Sequence, residues 1–330
     1  MSKPSIVYFA SNGLGENLQA SPAMRKLRTK FHVLMVCRDP IHAVLDKECY
    51  DELFTWNQYN WEQTAYKLKV RISTTDDVLW TGHLDCHEYF LNSDLMSGGF
   101  LKEARREHHR GQTSASRAFW HRVVGAGGFG FGDPSAKELR MSAAPPDQHV
   151  RNDYDTLVSL GSGESIRRLH EPTAVAICNE LNRRGRKVVL HTNSGRPSNL
   201  HSKVGCAMNR WNEGTISQLQ SLLWGVDLMI GPDSGPVHLA LAYGKKVIFM
   251  ESREHIRNVI DAVHMPQATV WRDPKPACDQ GCHARRPKFE EGKNCGPNYP
   301  WCLACAEKRP VPCLSLAPGQ VVEMLASLDL

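Results

Sequence analysis

The stretch "LMIGPDSGPVHLALAYGKKVIF", Leu228–Phe249, decides how the chain is read. Its ends, Leu-Met-Ile and Val-Ile-Phe, are short apolar runs of the kind that form buried parallel strands. Between them a Gly/Pro-bounded turn leads into a short Ala/Leu-rich helix, so the order is strand, turn, helix, strand. Gly231 and Gly235 let the backbone turn tightly and approach a ligand closely. Asp233 or Ser234 can cap the helix, and Pro236 suits its first turn, where a missing N–H costs nothing. The N–H groups at such a helix mouth, together with the helix dipole, favour an anion such as a diphosphate. His238, one turn in, can donate to a phosphate oxygen. A capped helix with a satisfied histidine accounts for the same residues, so this turn alone leaves both readings open.

Working outward, the same α/β rhythm recurs on both sides. "IVYFA" (Ile6–Ala10) reads as a strand, "SNGLGEN" as a Gly-rich turn, and Leu18, Met24, Leu27 and Phe31 as a helix face with Pro22 near its start. "HVLMVC" (His32–Cys37) is the next strand, completing a βαβ unit. Val70–Ile72 and Val78–Trp80 are further strand candidates. The pattern fades between Pro134 and Asp155, around Pro145-Pro146, which marks the domain linker. It restarts with a strand "TLVSL" (Thr156–Leu160), a Gly/Ser loop "GSGESIRR", and a helix from Pro172 to Arg184 that Gly185 ends. That helix turns Val175, Cys178 and Leu181 inward. "KVVLHT" is a strand, a helix with Ile216, Leu219, Leu222 and Leu223 follows, and a last helix after Pro318 faces Val321, Val322, Leu325 and Leu328 inward. The expectation is α/β: two Rossmann-like domains, 1–150 and 151–330, facing across a cleft, with ligands at the carboxyl ends of the strands.

A chain of 330 residues is long enough for two cores. Apolar content of 41% and charged content of 23% fit a soluble globular protein, and no apolar run approaches the length of a bilayer span. The N-terminal residues lack a secretory signal pattern, so the expected location is cytoplasmic. A net charge of +5 suits anionic small ligands and does not by itself point to nucleic acid.

Taken whole, "DLMIGPDSGPVHLALAYGKKVIFM" resembles the donor-site segment of the family 9 glycosyltransferases, the lipopolysaccharide heptosyltransferase family. That segment has Asp, Ser or Thr, Gly, two variable residues and His, and Asp233, Ser234, Gly235 and His238 match it in register. "GLGENLQASPAMRKLRTKF" (Gly13–Phe31) is similar to the family's opening motif through Gly13, Leu14, Gly15, Pro22, Ala23, Leu27 and Arg28. The family's catalytic aspartate falls on Glu16, one methylene longer, with Asn12, Gly13 and Gly15 forming the acceptor-side loop. In "SLGSGESIRRLHEP" the resemblance places Ser162 and Gly163 at a donor-side turn and Arg168, with Arg167 close behind, at a phosphate-binding lysine position; the aromatic residue of the family's aromatic-Pro is missing here. In "NEGTISQLQSLLWGVD" it places Glu213 at the nucleoside and Thr215 at a helix cap.

The resemblance implies a GT-B inverting glycosyltransferase. A nucleotide-diphosphate sugar would sit in the C-terminal domain, Glu16 would be the general base toward an acceptor hydroxyl, and no metal would be needed for the chemistry. Family precedent implies ADP-heptose as donor and lipopolysaccharide as acceptor. The acceptor classes left open are a glycan, a lipid-linked glycan and a nucleic acid. The basic segment Lys102–Arg122, with six Lys/Arg, three His and two Glu, motivates a rival in which a nucleic-acid base or nucleotide is modified, with Phe119 and Trp120 stacking on it. Glu in place of Asp at position 16 motivates a second rival, a non-catalytic nucleotide-sugar binder.

Six of the eleven cysteines, Cys278, Cys282, Cys295, Cys302, Cys305 and Cys313, crowd a Cys-rich segment, 275–315. Cys278, Cys282, Cys302 and Cys305 could form a structural zinc site, and a set of free thiols fits the same spacing.

Overall fold

A computed structural model of the chain describes residues 3, 5–9, 14–37, 39–55, 71–73, 80–84, 87–91, 114–121, 131–147, 153–161, 168–192, 204–210, 216–251, 259–272 and 314–330. The chain divides into two compact units. One is Met1–Asp147 with Arg257–Pro266, and the other is Gln148–Ile256 with Gln267–Leu330.

In the first unit, β1 (Ser5–Phe9), β2 (His32–Cys37), β3 (Glu52–Thr55) and β4 (Arg71–Ser73) form a parallel sheet in the order β3-β2-β1-β4. β5 (Trp80–Leu84) and β6 (His87–Leu91) pair as an antiparallel hairpin that the sequence pattern did not reveal. Helix α1 (Leu14–Arg28) connects β1 to β2 and buries Leu18, Ala23, Met24 and Leu27. The short helices α2 (Asp39–His42) and α3 (Ala115–Trp120) follow. Trp120 is only 2% exposed, and its indole N–H donates to the Gly132 carbonyl. It is therefore a core residue of this unit and not a stacking platform. Phe119 has no described side chain.

Pro22 lies in the interior of α1 and not near its start. A proline there removes the amide that would donate to the Leu18 carbonyl. The preceding side chain supplies the replacement: the buried Ser21 hydroxyl donates to Leu18 O at 2.7 Å and accepts from the Ser142 amide at 3.0 Å. One hydroxyl thus satisfies a helix carbonyl and joins α1 to a strand-like segment far along the chain.

The segment Arg257–Pro266, which a single cut at residue 150 would leave with the second half, packs with the first unit. Gln19 donates to the Val259 carbonyl at 3.1 Å, Ser114 donates to the buried Asp261 carboxylate at 2.9 Å, and the fully buried His264 accepts from the Met141 amide at 3.0 Å. Each of these bonds spans more than 100 residues, so no local pattern announces them.

The second unit carries a six-stranded, all-parallel sheet of β7 (Thr156–Ser159), β8 (Val188–Thr192), β9 (Ala207–Arg210), β10 (Leu228–Gly231), β11 (Lys246–Met250) and β12 (Ala268–Trp271), in the order β12-β11-β10-β7-β8-β9. This is the doubly wound nucleotide-binding order. β7, β8 and β10 are buried at every residue, as strands covered on both faces must be. Around the sheet run α4 (Glu171–Arg183), α5 (Ile216–Gly225), α6 (Gly235–Ala242) and α7 (Pro318–Ser327). α4 and α7 bury Ile177, Cys178, Leu181, Val321 and Leu325 in one cluster with Val158, Leu190, Ile230 and Ile248. One inward assignment needs correction: Val322 is 41% exposed, and Met324 is buried instead, while Val175 and Leu328 pack partly buried against the core. Val321, Met324, Leu325 and Leu328 follow the i, i+3, i+4, i+7 spacing of one helix face, and Val322 falls outside it.

Replacing Ser21 with Ala should leave the Leu18 carbonyl and the Ser142 amide without this partner and destabilise the first unit by about 1–3 kcal/mol. Denaturant unfolding of the variant beside the parent protein measures it. An unchanged midpoint would mean that another group takes over both bonds.

Candidate functional site

The strand order of the second unit places its topological switch point between β7 and β10. From β7 the chain winds outward through β8 and β9, then returns to β10 and winds the other way. The crevice beyond the carboxyl ends of those two neighbours is where this architecture binds ligands. The turns singled out in the sequence follow these two strands.

After β10 comes Gly231. Ile230 lies opposite Val158 in the parallel pairing, and the next step brings Gly231 against Ser159. A Cβ on Gly231 would stand 3.3 Å from the Ser159 carbonyl and from the Met229 methyl, and 3.4 Å from Ser159 Cβ. The two strand ends approach closely because this residue has no side chain. Ser234 then occupies the N-cap position of α6 with extended φ −164° and ψ 159°, and its carbonyl accepts from the amides of Val237 and His238. Pro236 sits in the first turn, as the sequence implied. The Ser234 side chain does not cap the helix; its hydroxyl is buried without a hydrogen-bond partner among the described residues, in a residue 4% exposed.

Asp233 does not cap the helix by its side chain either. Its Oδ1 lies 3.2 Å from His238 Nε2, and the two residues are 7% and 3% exposed. A carboxylate only accepts, so Nε2 carries the proton of this bond. The pair, together with the N-terminal end of α6, offsets the cost of burying the aspartate charge.

After β7 comes Gly161, in the left-handed region at φ 101°, whose amide donates to the Ser159 hydroxyl at 3.1 Å. Gly161 also forms an isolated antiparallel bridge with Arg168, and Leu169 donates to the Leu160 carbonyl at 2.7 Å. Arg168 is half-buried where it pairs with Gly161. Ser159 was not singled out in the sequence, although a serine ending an otherwise apolar strand was a visible signal. It anchors both turns at once, against Gly231 and under Gly161.

In the first unit, Glu16 is the third residue of α1 and is exposed, with Gly15 half-buried beside it. Asn12, Gly13, Ser162, Gly163, Arg167, Glu213 and Thr215 lie outside the described residues, as do Cys278, Cys282, Cys302 and Cys305. Among the described residues, no group of three or more His, Cys, Asp or Glu could hold a metal ion. No helix among them is long and apolar enough to cross a membrane.

Residues 205–252, which contain the β10 turn and α6, match the family described as glycosyltransferase family 9 (heptosyltransferase). That match covers the segment from just before β9 to just after β11, so it is this part of the chain that is similar to the family. No curated protein matches the chain in sequence. Its fold is that of GT-B glycosyltransferases. It is similar to the family 9 glycosyl transferase from Veillonella parvula DSM 2008, with 14% identity, a TM-score of 0.63, and coverage of 99% of this chain and 98% of that one. It is also similar to the iron-containing dodecameric glycosyltransferase TibC from enterotoxigenic E. coli H10407, with 13% identity, a TM-score of 0.60, and coverage of 99% and 76%. A third likeness is to the E. coli ADP-heptose lps heptosyltransferase II, with 10% identity, a TM-score of 0.53, and coverage of 98% of both chains.

Gly231→Val should force Ser159 away from β10 and cost about 1–3 kcal/mol, as overpacking does. Thermal unfolding of the variant tests it. A variant as stable as the parent would show that the strand ends separate freely.

Proposed function

We propose that the chain is a glycosyltransferase that binds a nucleotide-diphosphate sugar through the second unit, at the switch point between β7 and β10. The observation that carries this reading is the buried Ser234 hydroxyl, which has no protein partner among the described residues and stands at the mouth of α6. Burying a hydroxyl without a partner is costly, and a ligand oxygen is the partner it suits. The amides of Ser234 and Gly235 and the positive end of the helix favour a diphosphate there. Arg168 adds a guanidinium that can bind phosphate bidentately.

Asp233 has a distinct part. A carboxylate beside a diphosphate would repel it, but Asp233 turns to His238 Nε2. With that nitrogen committed, Nδ1 is the ring atom left to meet a ligand. The Asp233–His238 bond thus turns the carboxylate toward the ring and away from direct contact with the diphosphate.

For transfer, Glu16 takes the proton from the acceptor hydroxyl as its oxygen attacks the anomeric carbon. The bond to the diphosphate breaks on the opposite face of the sugar, and the nucleoside diphosphate leaves with its charge held by α6 and Arg168. The donor assigned here is ADP-heptose, on the likeness to heptosyltransferase II, and the acceptor is a glycan hydroxyl.

Glu16→Gln should lower kcat by roughly 100- to 10,000-fold with ADP affinity unchanged. Turnover assays with ADP-heptose and a panel of glycan acceptors, beside calorimetry with ADP, measure both; parent-level turnover by the variant would remove Glu16 from the mechanism. His238→Ala should weaken ADP binding by about 1–3 kcal/mol, the value of a charge-assisted hydrogen bond. Undiminished affinity in a folded variant would leave the turn a structural connection only.

A further inference from the structure

Four of the described cysteines behave in two different ways. Cys37 and Cys49 are buried in the first unit, and burial pushes the Cys49 thiol up to about 12, which makes it an inert packing residue. Cys178 and Cys206 are neighbours in the second unit, where each packs in or against the same core cluster and each thiol shifts the ionisation of the other. Cys178 is fully buried on the sheet-facing side of α4, while Cys206, just before β9, packs against the same core cluster and remains partly open to solvent.

This juxtaposition is built by the backbone. Gly205 is clamped to α4 from both sides: its amide donates to Asn179 Oδ1 at 3.0 Å, and its carbonyl accepts from Asn182 Nδ2 at 2.9 Å. The clamp fixes the residue before Cys206 against the turn of α4 that carries Cys178. Two hydrogen bonds that hold the residue before Cys206 against the turn of Cys178, with both side chains at one core cluster, bring the pair near enough for a disulfide to be considered.

The two thiols are also unequal. The S–H of Cys178 stabilises the Cys206 thiolate, and a bond from the Leu190 backbone adds to this, so Cys206 ionises more readily than an ordinary cysteine. Its bond to Cys206, together with burial, raises Cys178. One accessible, more acidic sulfur beside a buried, less acidic one is the arrangement of an attacking and a resolving cysteine.

We infer that Cys178 and Cys206 are a redox-active dithiol that closes to a disulfide when Cys206 meets a hydroperoxide. The Cys206 thiolate attacks one peroxide oxygen and the O–O bond breaks. The released hydroxide takes up the proton that Cys206 gave and leaves as water, and Cys206 becomes a sulfenic acid. The Cys178 sulfur then attacks the Cys206 sulfur. The S–O bond breaks, the S–S bond forms, and the departing hydroxide leaves as a second water with the Cys178 proton. Two thiols lose two hydrogens, one hydrogen peroxide is reduced to two waters, and a reducing dithiol restores the pair. The closed form ties α4 to the edge strand β9.

Peptide mapping of the full chain decides it. Tryptic cleavage separates the two cysteines into "LHEPTAVAICNELNR" and "VGCAMNR". After hydrogen peroxide treatment and blocking of remaining thiols, these peptides should appear linked, and dithiothreitol should return them to separate masses. Finding both as blocked free thiols, or Cys206 linked to a different cysteine, would overturn the inference. In Cys178→Ser the resolving sulfur is missing, so a cyclic diketone probe should label Cys206 as a sulfenic acid after peroxide. A folded variant without that label would overturn the order of attack, and the mapping of the parent chain stands independently of whether this variant folds.

Discussion

The second unit depends on how closely β10 can lie beside β7 at their carboxyl ends. Parallel pairing aligns Ile230 with Val158, and the absence of a side chain on Gly231 lets the next residues continue in contact with Ser159. That contact joins strands separated by about seventy residues of chain, and it is the point from which the sheet winds in both directions. The two turns that leave it, one into α6 and one at Gly161, take their positions from it. A parallel sheet with every central residue buried leaves only its strand ends for polar chemistry, so the ligand-binding residues gather there.

Within that edge, the polar groups divide the work. Asp233 and His238 satisfy one another, which removes the carboxylate as an obstacle to an anion. Ser234 holds the N-cap position by its backbone alone, which leaves its hydroxyl for something else. The same economy appears in α1, where Ser21 compensates for the amide that Pro22 lacks and binds a distant amide as well. In α1 the serine side chain carries the hydrogen bonding that the proline cannot, whereas at α6 the proline sits in the first turn and the serine side chain is not needed for the helix.

Much of the fold was legible because its signals are local. Apolar runs revealed β1, β2, β7, β8, β10 and β11 but not the outer strands β3, β9 and β12, and Gly185 marked the end of α4 through the left-handed conformation it adopts at φ 85°. The hairpin β5–β6 and the interior position of Pro22 were not legible. The hairpin lacks a diagnostic turn dipeptide, and a proline inside a helix contradicts the local preference that its neighbours overrule. For the candidate site, the residue types after β10 were readable as a diphosphate grip or as a capped helix. Which side chain capped, and which did not, was a matter of geometry.

The sequence by itself determined the alternation of strands and helices, the restart of that alternation after Pro145-Pro146, and the presence of Asp233, Ser234, Gly235 and His238 in one turn. Those features depend on residues within a few positions of each other. Only the tertiary structure decided that Asp233 pairs with His238, that Ser159 underlies both turns, that Arg257–Pro266 returns to the first unit, and that Cys206 meets Cys178. Each of these depends on strand order or on the depth of burial. Both are set by how the whole chain packs its apolar faces, and neither leaves a periodicity in the residues that come to touch.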